Sequence, residues 1–339
     1  MTHRTITKIF PCETRALWSV GPGRMALRSA TVPAPGPGEV CVAARFSGVS
    51  PGTERLVLSG KVPESEWSRM RAPFQEGDFP FPVKYGYAGV GEIVAGAPER
   101  LGETVFVLHP HQSLYCVPAE AALPLPDGVP AARGILAANM ETALNGLWDG
   151  GASPGDHIAV VGGGIIGLLV AHLAARIPGT KVTVVDVDPA REARARALGA
   201  GFATPDAAPE DQDLVFHASG HPDGLDTALS LAGIEARVVE MSWYGTTPVT
   251  ATLGGAFHSR RLTLRSSQVG RVPAERQARW SYSRRLSTAL SLLREPALDA
   301  LISPPVPLTE APERIPALLG PEGGGLMPLI SYDTPADIA

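Results

Sequence analysis

One short stretch of this sequence constrains the fold more than any other, because an apolar run passes through a glycine cluster straight into a second apolar run. It reads IAVVGGGIIGLL, and Gly162, Gly164 and Gly167 fit the pattern G-x-G-x-x-G. In that pattern the first glycine makes a tight turn, the second lets the backbone approach a phosphate, and the third lets a helix pack closely on a strand. We expect Ile165 and Ile166 to open this helix and to present N–H groups to a pyrophosphate. The stretch therefore predicts a strand, a turn and a helix that bind a dinucleotide.

The next predicted strand carries an acidic residue where a dinucleotide site needs one. The strand KVTVVDVD holds Asp186, which lies 19 positions after Gly167 and so close to the usual ~20-residue offset. A carboxylate there binds the ribose hydroxyls and repels a 2′-phosphate, so we expect NAD(H) as the cofactor. Arg191 follows closely and offers a partner for such a phosphate, which keeps NADP(H) as the alternative.

Apolar runs alternate with helical segments between about residues 128 and 272. This alternation predicts an α/β domain, in which a doubly wound parallel sheet is covered by helices on both faces. Ligands of such sheets bind outside the carboxyl ends of the strands. The residues predicted to border the cofactor for this reason are Ser219, Gly220, Trp243, Tyr244 and Gly245. His217, just before this border, is predicted to be a packed strand residue rather than a base.

The residues before this domain have a different sequence pattern, in which short β-like runs are interrupted by glycine and proline. They predict a β-rich domain over residues 1–127. A helix is predicted around residues 283–293. The tail, residues 273–339, is too short to be a third domain, so we expect it to return and complete the first. Two domains are also what a length of 339 residues favours.

Composition excludes several classes of protein. The formal net charge is −5, which disfavours nucleic acid and anionic lipid as partners. No apolar run approaches the ~20 residues of a membrane-spanning helix, and the first residues lack the apolar stretch of a secretory signal. Three widely spaced cysteines provide neither a disulfide framework nor a Cys-x-x-Cys metal motif. We therefore expect a cytoplasmic protein.

Several segments, taken in order, resemble the medium-chain dehydrogenase/reductase superfamily, which includes the alcohol dehydrogenases. They are FSGVSPGTE, VKYGYAGVGEIVAG, METALNGL, the glycine turn and VVDVDPAREARARALGA. The resemblance implies a GroES-like catalytic domain built from both chain ends, a Rossmann domain over 128–272, and an NAD(P)-dependent enzyme with a small-molecule substrate. It also implies a homodimer joined through the strand RLTLRSSQVG. Thr142 is expected to touch the nicotinamide, with helix capping as the alternative.

The departures from this family concern zinc. Zinc-binding members carry a Cys in the segment that reads GVSPGTE here, a His in a Gly-His-Glu motif, and a Cys or Glu before the METAL-like helix. This chain has Ser50 or Pro51, Tyr87 and approximately Ala138 at those places, and none of these supplies a thiolate or an imidazole. The four-cysteine loop of members with a structural zinc is also missing. We expect neither zinc.

Without a metal, a side chain must exchange a proton or hydrogen bond with the reacting oxygen. The candidates, on segments that line the cleft in the resembling family, are Tyr87, Thr53, Glu54, Lys84 and Tyr85. Tyr87 ranks first, because it replaces the zinc-binding His. Its phenol can donate a hydrogen bond to a carbonyl or, if a nearby cation such as Lys84 lowers its pKa, accept a proton from an alcohol; a space-filling role is the alternative. Thr53 is either the start of a proton relay or a turn residue, and Glu54 either acts directly or orients a neighbour.

Three further features bear on substrate and metal. The segment SGVSPGTERLVLSGKVPE resembles the bacteriochlorophyllide hydroxyethyl dehydrogenases, which act on a large macrocycle, so it suggests a bulky substrate. Eight arginines between residues 260 and 285, with Trp280 and Tyr282 among them, are typical of a solvated face, a subunit contact or an anionic substrate site. His109 and His111 have strand spacing but no third ligand, so ordinary strand-end histidines are expected.

Three functions fit these observations. The leading one is a zinc-independent, NAD(H)-linked oxidoreductase for a secondary alcohol or its ketone. The second is a quinone or enoyl reductase, in which hydride goes to an already polarised C=C bond; such enzymes often prefer NADPH, which Asp186 disfavours. The third is a protein that binds the dinucleotide without turnover and senses the NADH/NAD ratio.

Overall fold

The computed structural model describes residues 10–320 and 323–332 and divides the chain into two compact units. The first unit joins Met1–Ala138 to Ile302–Ala339, and the second is Asn139–Leu301. None of the helices within the described ranges combines the length and the apolar character that crossing a bilayer requires.

Strands and helices follow one another along the whole described chain. The strands are β1 Cys12–Gly21, β2 Arg24–Val32, β3 Glu39–Gly48, β4 Glu76–Gly77, β5 Val83–Lys84, β6 Gly89–Ala95, β7 Thr104–Val107, β8 Leu114–Pro118, β9 Leu123–Pro124, β10 His157–Val161, β11 Lys181–Val185, β12 Gly201–Ala203, β13 Gln212–His217, β14 Ala232–Glu240, β15 Thr263–Ser266, β16 Ile302–Pro307 and β17 Met327–Ser331. The α-helices are α1 Pro51–Leu58, α2 Ala131–Gly134, α3 Ala137–Gly150, α4 Ile165–Ala174, α5 Glu192–Ala197, α6 Pro222–Leu231, α7 Ala274–Gln277, α8 Tyr282–Leu292 and α9 Ala311–Leu318.

The sheets of the first unit draw on both ends of the chain. One sheet has the order β16-β17-β3-β6-β7-β9, with β8 also paired to β3, and another has the order β2-β1-β5-β4. β17 runs antiparallel to β3, with Leu329 opposite Gly48. Val42, Ile93 and Val105 belong to the buried core of this unit, and each such side chain contributes ~1.5–3 kcal/mol on burial. The predicted β-rich part of the fold is confirmed, and in the structure it contains strands from both ends of the chain.

The second unit is built on a six-stranded sheet with the order β12-β11-β10-β13-β14-β15, in which all neighbouring strands are parallel. Helix α4 packs against β10 and β11, whereas α6 packs against β13, β10 and β14. Helix α4 connects β10 to β11, and α6 connects β13 to β14, which is a step in the opposite direction along the sheet. Because such connections are right-handed, the two helices cover opposite faces of the sheet. Val160, Val184 and Val215 are completely buried as a result, which explains the continuously apolar strands. The predicted doubly wound α/β fold is confirmed.

The borders of the two units differ from the predicted ones. Residues 273–301, expected in the β-rich domain, belong to the second unit, because the buried Arg285 of α8 bonds Glu141 of α3. Residues 128–138, expected in the Rossmann domain, belong to the first unit, where Gly134 lies close to Leu125 and Val90. The helix predicted around residues 283–293 is α8.

Candidate cofactor and active site

The glycine turn lies between β10, which ends at Val161, and α4, whose N-cap is Gly164. Gly162 has φ +108°, a conformation that other residues rarely adopt, and a Cβ there would collide with the backbone of Ser219. A Cβ on Gly167 would overlap the carbonyl oxygen of Gly162. A Cβ on Gly164, in contrast, would meet no described atom within 4 Å. The turn therefore keeps open space against the start of α4, as a pyrophosphate site requires.

Asp186 and Arg191, the two residues predicted to select the cofactor, both lie beside this turn. One carboxylate oxygen of Asp186 accepts a hydrogen bond from the N–H of Gly163 at 2.6 Å, and the other accepts one from the N–H of Asp188 at 2.9 Å. The aliphatic part of Arg191 packs near Gly163, while its Nε lies 3.2 Å from Asp188 Oδ2. The structure thus brings both residues to the glycine turn, and their contact with a cofactor stays a prediction.

A hydrogen-bonded network joins the ends of β13 and β14 next to the same turn. The buried His217 has its Nδ1 2.7 Å from Glu240 Oε2 and its Nε2 2.7 Å from Ser219 Oγ. Tyr244 donates its hydroxyl hydrogen to Glu240 at 3.0 Å, and the N–H of Ser242 donates to Glu240 at 2.7 Å. Glu240 and Ser242 are not among the residues predicted from the sequence. Their position at the carboxyl end of a buried strand is the signal that could have found them.

The negative charge of this network is concentrated on Glu240. Burial acts to raise the pKa of its carboxyl, but the hydrogen bonds from His217 and Ser242 outweigh burial, and the pKa lies below its ordinary value. Burial, followed by the nearby charge of Glu240, raises the pKa of Tyr244. At neutral pH Glu240 is therefore a carboxylate, and Tyr244 keeps its proton.

The other predicted border residues lie in loops or within a helix. Gly220 has φ +68° and Gly245 has φ +62°, so both occupy turns that favour glycine. Trp243 is half-buried in the segment that follows β14. Thr142 lies inside α3, which starts at Ala137, so the helix-capping alternative for Thr142 is wrong. Contact of these four residues with a cofactor stays a prediction.

Tyr87 of the first unit follows β5 and interacts with the start of α1. Burial, and after it the negative charge of Glu54, raise the pKa of Tyr87 to about 12, although hydrogen bonds with Ser50 and Thr53 act in the opposite direction. The phenol therefore keeps its proton at neutral pH. It is suited to donate a hydrogen bond and unsuited to act as a base.

Lys84 does not act on Tyr87 as the sequence suggested. Its side chain is buried, and its ammonium nitrogen lies 2.5 Å from Glu76 Oε1 and 2.5 Å from Gln112 Oε1. Burial lowers the pKa of Lys84, partly offset by the hydrogen bond and charge of Glu76. The alternative in which Lys84 lowers the pKa of Tyr87 and makes it a base is wrong, because Lys84 is paired with Glu76 and burial raises the pKa of the phenol.

Glu54, near the start of α1, is one end of a second buried network. Its Oε1 accepts a hydrogen bond from the N–H of Ser50 at 2.8 Å, and its Oε2 lies 2.9 Å from His111 Nε2. His111 Nδ1 lies 2.8 Å from Ser47 Oγ, which is 2.7 Å from the hydroxyl of Tyr332. Both oxygens of Glu54 therefore have partners within the protein, which favours an orienting role for Glu54. This role of His111 was not predicted from the sequence.

The other histidine of the pair, His109, stacks on Tyr115 with ring centroids 3.7 Å apart. Burial lowers the pKa of His109 to about 3, so its ring is neutral. Within residues 10–320 and 323–332, no group of three or more His, Cys, Asp or Glu side chains is arranged to hold a metal ion.

The arginine cluster is used largely by the protein itself. Those of its members that pair with carboxylates are Arg261, Arg265 and Arg285. Arg276 and Arg284 lie over the rings of Trp148 and Trp280, at 4.9 and 4.1 Å from the ring centroids. Much of the cluster therefore stabilises α7, α8 and their surroundings, and an anionic substrate stays a prediction.

Comparison with known proteins identifies the family. No family model matches the chain. The chain is 30% identical over 318 residues to the 2-desacetyl-2-hydroxyethyl bacteriochlorophyllide A dehydrogenase of Rhodobacter capsulatus, a match that covers 89% of this chain and 93% of that protein. The chain belongs to the medium-chain dehydrogenase/reductase superfamily. The predicted membership, and with it an NAD(P)-dependent enzyme of this superfamily, is confirmed.

Solved structures of other dehydrogenases share the fold. A protein described as a short chain alcohol dehydrogenase from E. coli CFT073, complexed with NADH, has a TM-score of 0.75 at 18% identity, over 95% of this chain and 100% of that one. A dehydrogenase from Sinorhizobium meliloti 1021 bound to NADP has a TM-score of 0.74 at 20% identity, over 94% and 99%. At these identities the likeness concerns the fold alone.

At the positions where zinc-binding medium-chain dehydrogenases carry their zinc ligands, this chain has residues of a different chemical type. Tyr87 is a phenol with a raised pKa, Ser50 is a buried serine whose N–H donates to Glu54, and Ala138 is a buried residue without a donor side chain. A catalytic zinc site needs three ligands from Cys, His, Asp or Glu. The residues present do not fit such a site.

Proposed function

We propose that this medium-chain dehydrogenase is a zinc-independent, NAD(H)-linked oxidoreductase that interconverts a secondary alcohol and its ketone. The observation that carries the proposal is the open glycine turn, with Asp186 hydrogen-bonded to it at the edge of a parallel sheet. A bound nicotinamide dinucleotide would supply the carbon that accepts or donates hydride. Side chains of this protein must then exchange a proton or a hydrogen bond with the substrate oxygen.

The residues around the glycine turn suit an NAD(H) molecule. The N–H groups of Gly164, Ile165 and Ile166 would hold the pyrophosphate at the start of α4. Asp186 would bind the ribose, since two backbone N–H groups already fix its carboxylate at the turn. Because Asp188 pairs with Arg191, the arginine is engaged and less suited to bind a 2′-phosphate. This arrangement favours NAD(H) over NADP(H).

Asp186→Ala is expected to raise the Kd of NADH about tenfold or more, because hydrogen bonds to a charged group contribute ~1.5–3 kcal/mol. The Kd of NADPH should fall at the same time, since the repulsion of its phosphate is removed. Fluorescence titration of both reduced cofactors measures the two effects. Asp156→Ala is the matched control, because Asp156 precedes β10 at the opposite end of the strand. Equal changes for the two cofactors would contradict the assignment.

Tyr87 is proposed to donate a hydrogen bond to the substrate oxygen. With a pKa of about 12 the phenol is protonated over the whole physiological range, so it can stabilise the negative charge that develops on a ketone oxygen during hydride transfer. Thr53 and Ser50 hydrogen-bond the phenol, and Glu54 fixes the N–H of Ser50. These three residues would therefore position Tyr87.

Tyr87→Phe is expected to lower kcat about 100-fold, which is the lower end of the usual range for removing a donor that stabilises a developing oxyanion. The Kd of NADH should not change, because Tyr87 belongs to the first unit and the glycine turn belongs to the second. Steady-state kinetics and NADH titration separate the two quantities. Tyr282→Phe, which alters an exposed tyrosine, is the control. Full activity of Tyr87→Phe would support the space-filling alternative.

A bulky substrate is supported by the relative from Rhodobacter capsulatus, whose name specifies a bacteriochlorophyllide. Turnover assays with secondary alcohols of increasing size, and with quinones and enones, test this. Greater turnover of enones or quinones would favour the C=C reductase alternative. NADH binding without turnover on any panel would favour a sensor.

We also propose a homodimer. β15 is an edge strand of the six-stranded sheet, and its Leu264 is exposed, so the strand can pair with β15 of a second copy. Light scattering after size-exclusion chromatography should give twice the chain mass of 35.5 kDa. A mass of one chain at micromolar concentration would contradict this proposal.

A further inference from the structure

The network at the ends of β13 and β14 has the order of groups that activates a serine nucleophile. Ser219 Oγ lies 2.7 Å from His217 Nε2, and His217 Nδ1 lies 2.7 Å from Glu240 Oε2. Ser219 is exposed, whereas His217 is completely buried. A hydroxyl, an imidazole and a carboxylate joined in this order let the imidazole take the hydroxyl proton while the carboxylate orients the ring.

The hydrogen bonds around Glu240 determine which nitrogen of His217 faces the serine as an acceptor. The N–H of Ser242 and the hydroxyl of Tyr244 donate to the two oxygens of Glu240, so this carboxylate is an acceptor only. The Nδ1–H of His217 must therefore donate to Glu240 Oε2, because an ionised carboxylate has no hydrogen to give. His217 Nε2 is then left as the acceptor for the hydroxyl hydrogen of Ser219.

The start of α6 lies directly beside this serine. A Cβ on Gly224, in the first turn of α6, would overlap both Ser219 Oγ and His217 Nε2. The N–H of His221, the N-cap of α6, donates to Ser219 Oγ at 3.1 Å. The first turn of a helix carries partial positive charge, which stabilises negative charge that forms on a reacting oxygen nearby.

We propose that Ser219 is an activated nucleophile that attacks activated carboxylic esters, and that the protein therefore has a second, slow ester hydrolase activity. Ser219 Oγ forms a bond to the ester carbonyl carbon, and its proton passes to His217 Nε2. The tetrahedral intermediate breaks its bond to the alcohol oxygen, which takes the proton from His217. Water then attacks the acyl-serine, gives its proton to His217, and releases the carboxylic acid as Ser219 recovers that proton.

The position of Ser219 links this reactivity to the glycine turn. The backbone of Ser219 is so close to Gly162 that a Cβ on that glycine would collide with it. A dinucleotide held at the turn should therefore cover the hydroxyl. The nucleophile itself does not depend on the proposed oxidoreductase, and only this protection by a cofactor rests on the proposed function.

The test is to treat the full chain with a fluorophosphonate probe and to locate the adduct by mass spectrometry. Phosphorus bonds to Ser219 Oγ, and fluoride leaves with the serine proton. We expect labelling at Ser219 and loss of this labelling in Ser219→Ala. Labelling should be about 100-fold slower in Glu240→Gln, since the carboxylate that holds the imidazole of His217 in position is removed. Ser230→Ala should label like the original chain, because Ser230 is also exposed but its hydroxyl donates to the backbone carbonyl of Thr227 and not to an imidazole.

Hydrolysis of p-nitrophenyl acetate by the same four proteins provides the second measurement and should follow the same order. Adducts spread over several serines, or equal hydrolysis by Ser219→Ala, would overturn the inference even if Glu240→Gln failed to fold. Saturating NADH should slow labelling at least tenfold. Labelling that NADH does not slow would support the nucleophile and count against the proposed cofactor position. NADH binding without any adduct on Ser219 would overturn the nucleophile and leave the proposed function standing.

Discussion

Replacing Arg285 by alanine is expected to lower the free energy of unfolding by about 3–5 kcal/mol, the range for breaking a buried ion pair. The guanidinium of Arg285 is buried in the second unit, where its Nε donates to Glu141 at 3.0 Å and its other nitrogens donate to Asn145 and to the carbonyl of Val269, each at 2.5 Å. Without it, Glu141 is a buried carboxylate that has lost its countercharge. Urea unfolding measures the loss.

Arg284→Ala is the matched control, because Arg284 is the neighbouring exposed residue on the same helix and lies over Trp280. Arg284→Ala should lower the free energy of unfolding by about 1 kcal/mol or less, as for an exposed cation–π contact. A double variant, Arg285→Met with Glu141→Leu, should regain much of the stability, since it removes both charges. Equal losses for Arg284→Ala and Arg285→Ala would show that the pair does not stabilise the fold.

The loss in Arg285→Ala should also depend on pH. Burial raises the pKa of Glu141, and Arg285 acts in the opposite direction, so removing Arg285 raises that pKa further. A carboxyl whose pKa is higher in the folded than in the unfolded state stabilises the fold below the unfolded value, and this contribution disappears as the pH rises through the folded value. The variant should therefore be closest to the original chain in acid and furthest from it above neutral pH.

Gly164→Ala and Gly167→Ala are expected to abolish tight NADH binding for two different reasons. A Cβ on Gly164 meets no described atom within 4 Å, and its φ of −77° suits any residue, so this variant should fold normally. The methyl group would fill the space kept for the pyrophosphate, and we expect the Kd of NADH to rise about 10- to 100-fold, equivalent to ~1.4–2.7 kcal/mol. Isothermal calorimetry and the Tm measure binding and folding separately.

Gly167→Ala should lower both NADH affinity and the Tm. Its Cβ would overlap the carbonyl oxygen of Gly162, so α4 must move away from the turn, at a cost of about 1–3 kcal/mol. Gly52→Ala, at an open position in α1, is the control and should leave NADH binding unchanged. Unaltered NADH affinity in Gly164→Ala would show that the cofactor does not lie at this turn.

Patterns within short segments of the sequence were sufficient to predict the fold. The alternation of apolar strands with helices predicted the parallel sheet, because burial on both faces requires continuously apolar strands. The glycine spacing and Asp186 predicted the turn that the structure shows, since a close approach of helix and strand leaves no room for side chains at Gly162 and Gly167. The predicted unit borders were displaced, because contacts such as Arg285 with Glu141 join residues 144 positions apart.

By itself, the sequence determined the two-part architecture, the glycine turn between β10 and α4, and the superfamily, because each depends on residues close together along the chain. Only the tertiary structure decided which polar groups meet. His111 binds Glu54 and Ser47, which lie 57 and 64 positions away, and Ser47 in turn meets Tyr332, 285 positions away. It likewise decided that burial, rather than Lys84, controls the pKa of Tyr87. The physical reason is that partners and burial depend on which strands become neighbours and in which register, and no local pattern encodes this.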